Sequence, residues 1–160
     1  MIRQLGRLLV VTITSWYGMM AMHELGHCVT AWLTGGLVEK VHFPLFGFSQ
    51  TIYIENPHPL VVAWAGAAGG AVFAALLLGL SRHLRRPVQH ALRYFAGFSL
   101  IANGLYLGLG GFDRVGDCAE LLNHGAKLWQ LVVFGIGATT LGMYSWHRMG
   151  PFRAWFRPLS

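Results

Sequence analysis

Four stretches of this chain, residues 8–33, 59–80, 94–112 and 128–146, read as helices that cross a lipid bilayer. A hydrocarbon core ~30 Å thick takes about 20 helical residues to span. Residues 59–80 carry no charge, and from Leu8 to Val38 there is no Lys, Arg or Asp and a single carboxylate, Glu24. In lipid each backbone polar group has to be bonded within its own element, so such stretches fold as helices. Composition agrees, with 54% apolar and only 11% charged residues and a mean hydropathy of +0.49; a soluble domain carries about 25% charged residues. The predicted fold class is an all-α membrane protein, a single polytopic domain over residues 1–160. About four transmembrane helices are expected, with a short β-hairpin-like connection between the first and second. That connection is the 34–58 segment, where β-branched and aromatic residues nearly alternate around Pro44 and Gly47. The amino terminus has the basic start and apolar run of a signal peptide but no small-residue cleavage site, so it is expected to be retained.

The formal charge of +6 and the pI near 9.9 raise the question of nucleic acid. The positions of the charges answer it. Nine of the twelve basic residues form three groups at the ends of apolar runs: Arg3 and Arg7; Arg82, Arg85, Arg86 and Arg93; Arg148, Arg153 and Arg157. A nucleic-acid site would instead need a basic face interleaved with aromatics, so no nucleic-acid partner is expected. Basic residues concentrate on the cytoplasmic side of membrane proteins. The 34–58 and 113–127 connections hold only Lys40, Arg114 and Lys127, against Glu39, Glu55, Asp113, Asp117 and Glu120. The expected localisation is therefore an integral, multi-pass one, the cell membrane in a prokaryote. Both termini would be cytoplasmic and these two connections on the other side.

Within the first span lies AMHELGHCVT, residues 21–30. Residues four apart share a helix face, so His23 and His27 can direct two imidazoles at one metal ion, with Glu24 beside them. This is the HExxH arrangement, in which zinc activates a water and the glutamate takes its proton. An ionisable group inside a span costs roughly 2.5–3.5 kcal/mol and is by default functional. Gly26 leaves room beside the metal for a backbone to approach.

A catalytic zinc takes three protein ligands. Leu33 stands where an extended HExxHxxGxxH motif would place a third histidine. The remaining candidates are Glu39 and Glu55 in the hairpin-like segment, and Asp113, Asp117, Glu120 and His124 beyond the third span. Counted from Leu8 at ~1.5 Å per residue, His23 and His27 lie roughly 22–28 Å along the helix, past the midplane and toward the side where 113–127 emerges. Asp117-Cys118-Ala119-Glu120 also reads as a capping box that starts a helix.

Other polar residues receive plainer readings. Gly66/Gly70 and Gly104/Gly108 are GxxxG pairs that let helices approach closely. Cys28 and Cys118 are too few for a disulfide framework, although each follows a candidate ligand by one residue. His42, His58, His83, His90 and His147 are expected at the interface or in solvent, and His124 near the metal at most. Asn103 is expected to bond another helix.

HELGH in a first core span, AGAAGGAVFA in the second, and NGLYLGLGGFDRVGDCAELL after it resemble the site-2 protease family of intramembrane zinc metalloproteases. The resemblance covers roughly residues 8 to 125. It implies that Asp117 is the third ligand, that one zinc is bound per chain, and that the substrate is itself a membrane-spanning protein. The chain departs from the family's pattern at Cys118, where a glycine would follow the aspartate, and at Gly116, which replaces an apolar residue. Ala67 and Gly70 stand in the second span, which lacks the family's proline and asparagine.

The expected function is hydrolysis of peptide bonds in or near the bilayer by zinc on His23, His27 and Asp117, with Glu24 as general base. The 41–55 segment offers a strand edge for an unwound substrate. Gating of substrate would fall to the membrane part itself, to a regulatory membrane partner or to homo-oligomerisation. The alternatives are a non-proteolytic or inactive metal-binding membrane protein, a prenyl-peptide processing type of enzyme using Glu39 or Glu55, and a purely structural bundle.

Overall fold

A computed structural model describes residues 2–150. The chain runs α1 (Ile2–Leu33), β1 (Leu37–His42), β2 (Gln50–Glu55), α2 (Pro59–Ser81), α3 (Arg86–Asp113), α4 (Asp117–Asn123) and α5 (Leu128–His147). The expected class is found: four helices long and apolar enough to cross a membrane, and an antiparallel hairpin between the first and second. Arg153 and Arg157 of the third basic group lie outside the described residues.

Three features differ from expectation, the first being that α1 already begins at Ile2 rather than Leu8. Helix α3 begins at Arg86 rather than Tyr94, which leaves only 82–85 as the connection and makes Arg93 a helical residue. Pro87 in the first turn accounts for this, since a missing N–H costs nothing there. The 113–127 stretch is not a simple loop, because it contains α4.

In lipid, an apolar side chain gains little by leaving the hydrocarbon, so helices associate through close backbone packing and polar contacts. This bundle uses both. The Gly104/Gly108 pair of α3 faces Gly135 of α5, so closely that a Cβ on Gly135 would meet the Gly104 carbonyl and the Gly108 backbone. At the other end of α3, Trp146 Nε1 of α5 donates to the Tyr94 carbonyl at 3.0 Å, and the Tyr94 hydroxyl bonds Thr12 of α1 at 2.7 Å. Helix α2 packs between α1 and α3. The outward faces are apolar, with Leu9, Leu76, Leu109 and Ile136 all more than half exposed.

Helix α1 stops at Gly35, whose φ of +82° suits a residue without a Cβ. The Gly36 amide then donates to the Ala31 carbonyl at 2.7 Å. The hairpin that follows pairs Lys40 with Ile52 and His42 with Gln50. It does not lie flat at the end of α1. Its tip turns back along the helix: the Tyr17 hydroxyl donates to the Leu45 carbonyl at 2.7 Å, and Tyr17 stacks on Phe43. Tyr17 sits roughly 9 Å back along α1 from His23, at the helical rise per residue. Within the tip sequence FPLFGF, Phe43 stacks on Tyr17 and the Phe48 ring lies 5.7 Å from that of Trp16, whereas Leu45 and Phe46 stay exposed. One consequence is that β2 passes directly over Glu24.

Candidate metal centre

The i, i+4 spacing on α1 brings the His23 and His27 rings to a centroid distance of 4.8 Å, both side chains buried. Asp117 comes from the first turn of α4, beyond the end of α3. Its Oδ2 lies 2.9 Å from His23 Nε2 and 3.2 Å from His27 Nε2, and the two Nε2 atoms are 3.1 Å apart. Three candidate ligand atoms therefore converge from two helices.

The opposite sides of the rings determine which nitrogen is free. His27 Nδ1 faces the Val62 carbonyl of α2 at 2.8 Å. A carbonyl only accepts, so Nδ1 carries the proton. His23 Nδ1 faces Asn103 Oδ1 of α3 at 2.8 Å. The Asn103 amide nitrogen is committed as a donor to the Ser99 carbonyl at 2.9 Å, which orients its oxygen toward the histidine. In the neutral tautomers, both Nε2 lone pairs then point at each other and at a carboxylate oxygen. A proton between two of these atoms would satisfy one pair, whereas a metal cation satisfies all three. Tetrahedral zinc with bonds of ~2.0–2.1 Å separates its ligand atoms by ~3.3 Å, so the donor set and its spacing fit that ion. Ring N–H bonds to a carbonyl and an amide are the usual outer support of metal-bound histidine.

Two glycines make the approach feasible. A Cβ on Gly66 would collide with Nε2 of both His23 and His27, and a Cβ on Gly26 with the Ala65 carbonyl. The room that Gly26 provides is thus used by α2. Gly70, a turn beyond Gly66, leaves space for Asn103: a Cβ there would stand 3.0 Å from its amide nitrogen. The Gly66/Gly70 pair therefore serves the site as well as the helix packing.

The capping-box reading of Asp117 is corrected. The N-cap of α4 is Gly116, Asp117 is the first helical residue, and no side chain caps this helix. The Asp117 carboxylate is turned to the histidines instead. Gly116 adopts φ +50°, and a Cβ on it would strike the Tyr106 hydroxyl, which accepts from the Asp117 amide at 3.0 Å. Tyr106 thus fixes the start of α4, and its ring lies edge-on to His23.

Cys118 is not a ligand. Its thiol points to the Tyr106 carbonyl at 3.4 Å and occupies space left by Gly110, where a Cβ would stand 3.0 Å from the sulfur. Burial, and next the charge of Asp117, push this thiol up to about 12. Cys28 lies against Thr51 instead, so the two cysteines serve different contacts.

Glu24 is 4% exposed and does not join the cluster. Its two oxygens accept from Ser49 Oγ at 2.7 Å and Thr51 Oγ1 at 2.5 Å. Among the described residues, His23, His27 and Asp117 form the group of metal-ligating side chains. Asp113 ends α3 outside it, Glu39 faces Lys40 at 3.9 Å, and Glu55 is exposed on β2. Glu120 and His124 pair with each other at 3.3 Å on the rim of the cavity. That cavity, 1280 Å³, opens over the cluster between α1, β2, α3 and α4. Its wall includes Trp16, Phe48, Tyr53, Asn56 and Tyr106 as well as Glu24.

Sequence reasoning reached His23, Glu24, His27 and Asp117. It assigned Asn103 to ordinary helix contact and did not single out Ser49, Thr51, Tyr106 or the Val62 carbonyl. An amide inside an otherwise apolar span was the available signal for Asn103; nothing in their local sequence marks the others. Comparison with protein-family models, with curated proteins and with solved structures returns no match for this chain.

Proposed function

We propose that this chain is an intramembrane zinc metalloprotease that hydrolyses peptide bonds of membrane-spanning proteins. His23, His27 and Asp117 would hold the metal, and Glu24 would be the general base. The observation that carries this reading is the meeting of two histidine Nε2 atoms and one carboxylate oxygen beside a buried glutamate, in the wall of a cavity. Zinc bound there would supply a Lewis acid and a water of pKa near ~7.

The chain's own groups divide the remaining work. Val62 and Asn103 hold the imidazoles in the tautomer that leaves Nε2 free. Glu24, adjacent to His23 on α1, would accept a proton from the attacking water and return it to the leaving amine. The largely apolar wall of the cavity suits a segment drawn from lipid. A spanning helix must unwind first, because its carbonyls are already bonded internally. The hairpin edge could then receive the freed strand by strand addition. The membrane-spanning substrate rests on the resemblance to the site-2 proteases. The concentration of arginines supports cytoplasmic termini, with α4 and the base of the hairpin on the opposite side.

A non-proteolytic metal-binding role is the second reading, favoured by one observation: both Glu24 oxygens are engaged by hydroxyls rather than left free. The test compares the zinc-loaded wild-type protein with Glu24→Gln, each reconstituted with a panel of single-span polypeptides. The protease reading expects Glu24→Gln to keep its zinc and lose cleavage. Equal cleavage by both proteins, or none by either, would sink it.

A further inference from the structure

We infer that Ser49 and Thr51 are positioning residues for Glu24: the hairpin hydroxyls hold the carboxylate in its working position. The inference rests on the reading of Glu24 as general base but adds a role for residues outside the metal motif.

A carboxylate buried in an apolar helix needs either a counter-cation or hydrogen-bond donors. No ion pair to Glu24 is found among the described residues, and its partners are the two hydroxyls, one on each oxygen. The local sequence Ser49-Gln50-Thr51 produces this clamp directly. Ser49 immediately precedes β2 and Thr51 is its second residue, and both hydroxyls reach the Glu24 carboxylate. Thr51 is 8% exposed and also lies 3.8 Å from Cys28 Sγ. Cys28 is four residues beyond Glu24, on the same face of α1, so Thr51 sits astride the ridge that carries the base.

The stoichiometry suits a working base. Each carboxylate oxygen has two acceptor positions, so one hydroxyl apiece fixes the side chain and leaves a position open on each oxygen for a water or a leaving amine. Glutamate is among the side chains that lose most rotamer freedom on ordering, and a misplacement of about 1 Å can cost on the order of 100-fold in rate. The hairpin therefore supplies the orientation that α1 alone does not.

The test uses the full chain, zinc-loaded, as wild type, Thr51→Val, Ser49→Ala/Thr51→Val and Thr51→Ser. Valine keeps the shape of threonine and favours strands at least as well, so a purely structural Thr51 predicts no loss on going to valine. The positioning role predicts a kcat for Thr51→Val lower by about 10- to 100-fold on a polypeptide the wild type cleaves. KM and zinc content should be unchanged, and Thr51→Ser should restore most of the rate. A second readout needs no activity. With ¹³C-labelled glutamate, the band lost in Glu24→Gln identifies the Glu24 carboxylate stretch in the infrared spectrum, and this band should shift in the double variant but not in Thr51→Ser. An unmoved band overturns the inference whatever the activity, as does full kcat in Thr51→Val. A shifted band in a protein that cleaves nothing would leave the clamp standing and count against the protease reading instead.

Discussion

Asn103 of α3 holds His23 of α1 by its Nδ1, at 2.8 Å, from a position eighty residues further along the chain. The contact selects the tautomer whose Nε2 lone pair faces His27 and Asp117. Partners of this kind typically change metal affinity by 10- to 100-fold when removed. Asn103→Leu is therefore expected to weaken zinc binding by roughly that factor while the helices remain folded. Competition with a chelator of known affinity, alongside a far-ultraviolet dichroism spectrum, measures both. Unchanged zinc affinity in a folded Asn103→Leu protein would remove Asn103 from the site.

Asp117 and Asp113 lie one short turn apart in sequence and differ in what they touch. Asp117 reaches both histidines, whereas Asp113 ends α3 outside the cluster. Zinc content should accordingly collapse in Asp117→Ala and stay at the wild-type level in Asp113→Ala. Metal analysis of the two purified proteins decides between them. The opposite pattern, or loss in Glu39→Ala or Glu55→Ala instead, would point to a glutamate-ligand enzyme.

The parts of this molecule legible in its sequence are those governed by local rules. Long apolar runs produce spans whatever their surroundings, and alternation around Pro44 and Gly47 marks the hairpin. The i, i+4 spacing of His23 and His27 is likewise a property of one helix. The third ligand is not local: helix depth and charge bias pointed to the 113–127 segment, and the resemblance to the site-2 proteases then singled out Asp117 among its acids. Reading Asp117 as a helix cap was reasonable for Asp-x-x-Glu, but the backbone of Gly116 takes the cap position and frees the carboxylate. The clamp on Glu24 was invisible for a different reason. It depends on the hairpin folding back along α1, which follows from Tyr17 meeting Leu45 and Phe43. No periodicity encodes that contact.

Orientation in a bilayer is open to direct measurement. The proposed orientation, argued from the arginine groups, would put the 82–85 connection on the cytoplasmic side and the α4–α5 connection on the other. Cys28 and Cys118 are buried, so single cysteines introduced by His83→Cys and Lys127→Cys would dominate labelling. In oriented membrane vesicles, an impermeant maleimide added to the cytoplasmic face should label the first and spare the second. Labelling of both sites from one face would contradict the four-span topology.

Gly66 offers the most stringent check on the geometry, because its role comes from what it lacks. Its α-carbon faces both metal-directed nitrogens, and a Cβ there would overlap Nε2 of His27 and of His23. The imidazoles cannot both withdraw, since their Nδ1 atoms are held by Val62 and Asn103. Gly66→Ala should therefore abolish zinc binding even though alanine is a better helix former than glycine by roughly 1 kcal/mol. Gly69→Ala is the control: its Cβ would meet the Gly26 α-carbon at 3.6 Å, an ordinary contact, so zinc binding should persist. If alanine at 66 retained the metal, then α2 would have to stand further from α1 than described, and the close approach that Gly26 and Gly66 jointly permit would be wrong.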